Sequence, residues 1–282
     1  MSGAHWSAAV RRAFARAAAR YDRAATVQRS IGRRLFEHLD DLTLAPRRIL
    51  DLGAGTGREA RRLRRRWPDA QVVEVDFAWA MLARRPWWAP ARTAVCADAA
   101  ALPFADASVD LVYSNLMLQW CPEPERVFAE LRRVLRPGGW LVASTLGPAS
   151  LAELRAAWAE VDPDGAHVNR FPPPERLGAA LLAAGFVEPV LDCDRLRFGY
   201  RSFEAMLASL RELGANTVAG RGRGLTGKRR WAALRAACAR RRDPAGRWRL
   251  SYEAVYLVAR RHPGHAPLRD RRGDRQAGGG RL

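Results

Sequence analysis

The residues with the chemistry to hold a ligand gather at four points of this 282-residue chain. Asp51 is followed at once by Gly53, Gly55 and Gly57. Asp76 closes the apolar run Val72-Val73-Glu74-Val75. Asp98 and Ala99 follow Cys96, and Asn115 follows Ser114. Glycines let a backbone approach a ligand where a Cβ would collide, and they tolerate the positive φ of a tight turn. A carboxylate offers two acceptor oxygens, enough to take both hydroxyls of a ribose; that is the chemistry expected of Asp76. Asp98 suits the exocyclic amine of an adenine, with Phe77 and Leu102-Pro103-Phe104 as an apolar slot for the ring. The spacing excludes two commoner nucleotide motifs. A dinucleotide fingerprint needs glycine where Arg58 stands, and no Lys-Ser/Thr pair follows to make a phosphate-binding P-loop. The plainer alternatives are that Asp76 caps a helix, Asp98 begins a turn and Asp51 only orients the glycine loop. Three acids and a glycine loop at successive strand ends are a poor match to independent turn residues.

The elements that must carry these residues alternate. Strands are expected near 48–52, 71–75, 92–96, 109–114 and 139–145, and helices near 57–66, 77–84 and 124–135, the last stopped by Pro137-Gly138-Gly139. Such alternation gives a parallel sheet with right-handed crossovers, and in such sheets ligands sit beyond the carboxyl ends of the strands. Every candidate named above falls at such an end. Before this core, residues 5–42 read as one or two amphipathic helices, with Phe14, Tyr21, Ile31, Leu35 and Leu39 near helical spacing. After it come a helix over 150–161, a Pro/Asp/Gly-rich loop over 162–174, a helix over 175–184 and a strand over 186–199. Helices over 202–213 and 227–241 precede a final strand at 249–259. The expected organisation is a helical cap over 1–45, an α/β domain over 46–262 with a helical insertion at about 201–247, and a disordered tail over 263–282.

Composition bounds the rest. The net charge is +19, but only Lys228 among the 48 basic residues is a lysine, and the excess sits at the ends. Residues 1–48 carry +6 and 240–282 carry +8, whereas 49–147 carry only +2. No aromatic series interleaves with the charge as a nucleic-acid stacking platform would require. Cys96, Cys121, Cys193 and Cys238 form no metal spacing with the five histidines, so free thiols in a reducing, cytoplasmic setting are expected, with no metal. No apolar run is long enough for a membrane span.

Asp51-Leu52-Gly53-Ala54-Gly55-Thr56-Gly57 resembles the first motif of class I methyltransferases, which bind S-adenosylmethionine (SAM). Residues 102–112 and Val134–Leu141 extend that likeness. Further segments narrow it. Ser114-Asn115-Leu116-Met117-Leu118-Gln119-Trp120-Cys121 is similar to the S-N-x-x-x-Q-W-C signature of the malonyl-[acyl-carrier protein] O-methyltransferases of biotin synthesis. So are the opening Phe14–Asp22 with Gln28, the helix Leu151–Asp162, His167-Val168-Asn169-Arg170-Phe171, and Leu210–Asn216 with the glycines that follow. The resemblance spans about residues 10–260. Phe77 and Ala78 depart mildly from it, since many members carry leucine or serine there.

The resemblance implies a class I, Rossmann-like, mostly parallel seven-stranded sheet with helices on both faces, SAM as methyl donor, and an acyl carrier protein bearing a malonyl thioester (or malonyl-CoA) as partner. It implies cofactor contacts from Gln28, Asp51, Gly53, Gly55, Gly57, Asp76, Phe77, Asp98, Ala99 and Asn115. The reaction it implies is methylation of a free carboxylate, which is already ionised near neutral pH because its pKa lies near 4. No general base is needed, and catalysis rests on positioning and exclusion of water. Arg170, flanked by His167 and Asn169, is the first candidate to clamp the carboxylate bidentately, with Arg221 and Arg223 behind it. Tyr21 is placed to close over the methyl group, and Gln119 and Trp120 to shape the acceptor pocket. Rival readings are a nucleic-acid methyltransferase, a small-carboxylate methyltransferase and a non-catalytic, methyltransferase-like assembly factor. The strand-4 segment Asn115-Leu116-Met117 departs from the N/D-P-P-Y/F motif of the first of these.

Overall fold

The computed structural model describes residues 3–84, 93–212, 218 and 227–264. Arg221 and Arg223, the tail from residue 265 and most of the segment 213–226 lie outside the described residues.

β1 (Arg48–Leu52) is buried along nearly its whole length, as a short continuous apolar strand must be when both faces of a parallel sheet are covered. It lies between β2 (Gln71–Asp76) and β4 (Val109–Asn115), parallel to both. β3 (Thr93–Cys96) flanks β2, and β5 (Leu135–Leu146) flanks β4. β7 (Trp248–Arg261) then runs antiparallel between β5 and β6 (Phe186–Tyr200). The order is β3-β2-β1-β4-β5-β7-β6. The reversal between β1 and β4 makes the switch point at which ligands are bound, and it brings the ends of β1, β2, β3 and β4 to one rim.

Helices cover both faces. Against one face pack α3 (Thr26–Glu37), α4 (Arg58–Arg66), α7 (Ala152–Val161), α9 (Phe203–Glu212) and α10 (Lys228–Ala239). Against the other pack α6 (Pro124–Val134) and α8 (Pro174–Ala183). The sheet sorts its residues by the two-residue period of a strand: Ile49, Leu111 and Tyr113 face the first set, Leu50, Leu52 and Val112 the second. On α3, Val27, Ile31 and Leu35 recur every four residues, with Leu39 continuing the stripe just beyond the helix, and all four are buried, which seats α3 on the sheet. The chain before it is broken into α1 (Gly3–Ala17) and the single turn α2 (Tyr21–Ala24). Phe14, Ala18 and Tyr21 then close against Phe77, Ala78 and Met81 around α5 (Trp79–Leu82).

Two boundaries differ from expectation. The Pro137-Gly138-Gly139 segment does not end the helix. α6 stops at Val134, and β5 already begins at Leu135, opposite Val109, before the register shifts to Leu111 opposite Trp140. Gly138 supplies the positive φ (78°) that this irregularity needs. α5 is one turn rather than the helix expected over 77–84. Among the described residues no helix is long and apolar enough to cross a membrane.

Candidate active site

The glycine loop is folded by its own backbone. Gly53 N–H and Ala54 N–H both donate to Val75 O (2.8 and 3.0 Å), so the loop curls over the end of β2. Gly53, Gly55 and Gly57 all have positive φ (74°, 55° and 76°), a conformation costly for any residue with a Cβ. Gly53 is constrained twice, because a Cβ there would stand 2.6 Å from the Cβ of Met117. Asp76 fastens the loop: Gly55 N–H donates to its Oδ2 (2.9 Å) and Ala78 N–H to its Oδ1 (2.8 Å). Burial raises the Asp76 carboxyl to about 6, against the pull of those two N–H donors.

Around this loop lies a cavity of about 310 Å³, within the range of small-molecule sites. Gly53, Gly55, Asp76, Phe77, Asp98, Ala99 and Asn115 line it, and so do Tyr21 and Trp120. Successive strand ends therefore converge as the sequence implied. Asn115 is fixed by two bonds: its Nδ2 donates to Gln28 O (3.0 Å) and its Oδ1 accepts from Ser144 Oγ (2.9 Å). Asp98 closes a local turn, accepting from Ala100 N–H (2.9 Å).

Four expected positions lie elsewhere than on the wall of this cavity. Asp51 does not line the cavity. It is buried beneath the loop, where desolvation, then Glu59 and Glu74, push its carboxyl well above the usual range. Gly57 also lies outside the lining and serves as the left-handed residue that starts α4. Gln28 lies one cavity further in. Its backbone holds Asn115, and its side chain lines a small chamber beside Tyr21. Leu102-Pro103-Phe104 form no slot, because Leu102 is buried in the core below; Ala99, Ala100, Met117 and Val127 line that side.

The chamber beside Tyr21 measures about 40 Å³ and borders two larger spaces. It shares Phe14, Tyr21, Leu116 and Trp120 with the loop cavity. It shares Gln119, Trp120, Leu146 and Tyr252 with a second, mainly apolar cavity of about 250 Å³ between α7, α9 and α10. Trp120 is held at this junction by Phe14 edge-on (5.3 Å between ring centres) and by Trp6, whose Nε1 donates to Trp120 O (3.0 Å). Gln119 Nε2 donates to Leu116 O (2.7 Å). Burial, with Asp76 second, drives the Tyr21 phenol upward, so it remains a proton donor.

His167, Asn169 and Arg170 sit farther out. His167 stacks on Trp158 (3.6 Å, 8°), and its Nε2 meets Asp162 Oδ2 at 2.8 Å. His167 and Asn169 line both the apolar cavity and an open groove of about 850 Å³, but Arg170 lines the groove alone and is exposed. The arginine expected to grip the carboxylate thus stands at the lip beside Arg155, whose own pKa falls through burial and then the charge of Arg170.

Several residues of the site gave no signal in the sequence. Leu116 adopts φ 55° without being glycine. Such strain persists only where the surroundings over-determine it, and here Leu116 N–H is held by Ser144 O and Oγ (both 3.1 Å). Thr56 Oγ1 donates to Asp22 Oδ1 (2.6 Å), tying α2 to the glycine loop. Tyr252 arrives from the last strand. Only the S-N-x-x-x-Q-W-C segment hinted at Leu116.

A glycine loop under a β2 carboxylate, at the switch point of this sheet order, defines a class I SAM-dependent methyltransferase. The family model described as a methyltransferase domain matches residues 50–143. In structure the chain is similar to the YcgJ protein of Bacillus subtilis (TM-score 0.58, 17% identity, 82% of this chain and 98% of that one). It is also similar to the [4+2]-cyclase SpnF (TM-score 0.51, 22% identity, 83% and 82%), a reminder that this fold alone does not fix a reaction. In sequence it is 45% identical over 259 residues to the malonyl-[acyl-carrier protein] O-methyltransferase of Laribacter hongkongensis, covering 88% of this chain and 86% of the relative. It is 44% identical to that of Gallionella capsiferriformans, covering 88% of each. The chain belongs to the malonyl-[acyl-carrier protein] O-methyltransferase family.

Proposed function

We propose that this chain methylates the free carboxylate of a malonyl thioester carried by an acyl carrier protein, giving the methyl ester that primes pimeloyl synthesis for biotin. One observation carries the reading from family to mechanism. The loop cavity is followed by a second, mainly apolar cavity, with Trp120 in the walls of both and a small chamber lined by Tyr21, Gln119 and Tyr252 bordering each.

SAM fits the first cavity. Asp76 keeps lone pairs to spare beyond its two backbone bonds, glycine replaces any Cβ at the loop, and Phe77 and Asp98 lie where an adenine would rest. When bound, SAM supplies an electrophilic methyl group on a sulfonium. The residues of the chain do the rest. Gly53, Gly55 and Asp76 would hold the donor's sugar and amino-acid ends, and Asn115, fixed by two hydrogen bonds, forms a rigid part of the same wall. Phe14, Tyr21 and Trp120 close the space and exclude water, which leaves an anionic nucleophile poorly solvated and reactive. No base is required, and His167, engaged by Asp162 and Trp158, serves to hold the loop that walls the acceptor cavity. Arg170, at the lip, acts on the approach of the anionic arm.

The basic surface suits an acidic carrier protein. Arg12, Arg16, Arg20 and Arg23 are exposed on the N-terminal helices that roof the site, and Lys228, Arg229 and Arg230 are exposed at the start of α10. The test is transfer of labelled methyl from SAM to malonyl-carrier protein, malonyl-CoA and free malonate offered in competition. Preference for the carrier-bound thioester is expected; transfer to free malonate alone, or to nucleic acid, would overturn the reading.

A further inference from the structure

Gly53, Gly55 and Gly57 restrain the cofactor loop little by themselves, since a glycine backbone has the most freedom to lose on ordering. The sheet holds this loop at two points, through Val75 O beneath Gly53 and Ala54 and through the Asp76 carboxylate beneath Gly55. Both holds lie on β2. A third comes from outside the sheet. Thr56, only 4% exposed, stands between Gly55 and Gly57, and its hydroxyl donates to Asp22 Oδ1 at 2.6 Å, the short length of a charge-assisted bond. Asp22 belongs to the one-turn α2, which is itself anchored. Arg29 Nη1, on α3, donates to Asp22 O (2.6 Å), and Arg29 Nη2 donates to Thr26 Oγ1 (2.7 Å). α3 is seated on the sheet by Ile31 and Leu35, both fully buried. The neighbouring Tyr21 reaches over the same loop: a Cβ on Gly55 would stand 3.8 Å from its Cε1, and the Phe14 ring tilts against it (6.3 Å between ring centres).

Tyr21, Gly53 and Gly55 line the loop cavity, whereas Asp22 and Thr56 stand behind its wall. Among the described residues the Asp22 carboxylate has one side-chain bond, the one to Thr56. We propose that Asp22 is a positioning residue for SAM: by accepting the Thr56 hydroxyl it fixes the glycine loop against α2, so that the loop backbone and the Tyr21 ring are set relative to one another before the cofactor binds. This rests on SAM occupying the loop cavity. The gain is preorganisation. Without the bond, the glycines between Asp51 and Arg58 would be ordered by the ligand itself, and the entropy of ordering them would be subtracted from its affinity. The rival role for an acid so close to the cofactor is direct attraction of the sulfonium charge. Asn at position 22 separates the two, because its amide keeps an acceptor oxygen for Thr56 and carries no charge.

The experiment measures SAM affinity by titration calorimetry, with Tm and steady-state methyl transfer to malonyl-carrier protein alongside. It compares wild type, Asp22→Ala, Asp22→Asn, Thr56→Val, Thr56→Ser and the double variant Asp22→Ala/Thr56→Val. Asp22→Ala and Thr56→Val should each weaken SAM binding roughly tenfold, about 1.4 kcal/mol, and raise KM for SAM while KM for the carrier protein stays within about twofold. The double variant should be no weaker than either single one, because all three lose the same bond. Asp22→Asn and Thr56→Ser, which keep acceptor and donor, should stay within about threefold of wild type. Wild-type affinity in Asp22→Ala would overturn the inference, and so would additive losses in the double variant. An Asp22→Asn as weak as Asp22→Ala would overturn it too, in favour of charge acting directly on the cofactor. Equal losses in Tm and in KM for both substrates would mean that Asp22 supports the cap in general and not the cofactor loop. Where Thr56→Val does not fold, the comparison of Asp22→Ala with Asp22→Asn decides alone. If wild-type protein binds no SAM, the assignment of the loop cavity fails first, and separately.

Discussion

Asp76→Ala acts on two quantities of opposite sign. Its carboxylate accepts two backbone N–H bonds that hold the glycine loop and the entry to α5. Hydrogen bonds to a charged group contribute about 1.5–3 kcal/mol each, so truncation loosens the loop. Against this, burial raises its pKa from 3.8 to about 6. That shift makes the ionised form roughly 3 kcal/mol costlier at neutral pH than in the unfolded chain, at about 1.4 kcal/mol per unit. That raised value already includes the pull of both bonds, so the loop loosens while a net-costly buried charge is removed, and the variant should unfold within about 3 kcal/mol of wild type. SAM affinity has no such compensation. Losing the hydroxyl contacts of the ribose should weaken binding by about 1.5–3 kcal/mol, roughly 10- to 150-fold. The pH dependence follows from the same group. Its folded pKa lies above the unfolded one, so the folded chain retains an extra proton between about pH 4 and 6 and stability falls as pH rises through that window. SAM binding favours the carboxylate, so wild-type affinity should decline as pH drops below about 6, approaching tenfold per unit. Titration calorimetry across about pH 5–8, with melting curves on both proteins, measures all three effects. A folded Asp76→Ala whose SAM affinity matches wild type, or a wild type with flat affinity across that range, would refute the reasoning.

Gly32→Ala should cost about 1–2 kcal/mol in urea unfolding despite the helix-propensity gain, because its Cβ would stand 2.6 Å from Asn115 Nδ2 and 2.9 Å from Glu59 Oε1; a stabilised variant would count against the packing of α3 described here. His167→Phe, which keeps a ring to stack on Trp158, should lose less than tenfold in kcat with an unchanged pH–rate profile, whereas a general base contributes 10²–10⁴. Arg170→Ala should raise KM for malonyl-carrier protein with SAM affinity intact, and the effect should shrink as salt screens the approach over a Debye length of about 8 Å; a salt-independent loss confined to kcat would place Arg170 inside the site instead.

The sequence by itself determined the frame and the rim of strand ends. Apolar runs ending in Asp51, Asp76, Asp98 and Asn115 are local patterns, and strand and helix periods read locally, so the sheet, its crossovers and the glycine turn were legible without contacts. What it did not decide was depth. Asp51 and Asp76 look alike in the chain, yet one is sealed under the loop and the other lines the cavity, because the register sets Asp51 opposite Glu74, two residues short of Asp76 at the strand end. Arg170 and Gln28 belong to similarly suggestive segments, yet a loop carries the first to the lip while α3, packed on the sheet by Val27, Ile31 and Leu35, drives the second inward. Tyr252 reaches the junction from a strand more than 200 residues beyond α3. Its place follows from β7 inserting antiparallel between β5 and β6, a pairing set by long-range packing, which no local spacing encodes.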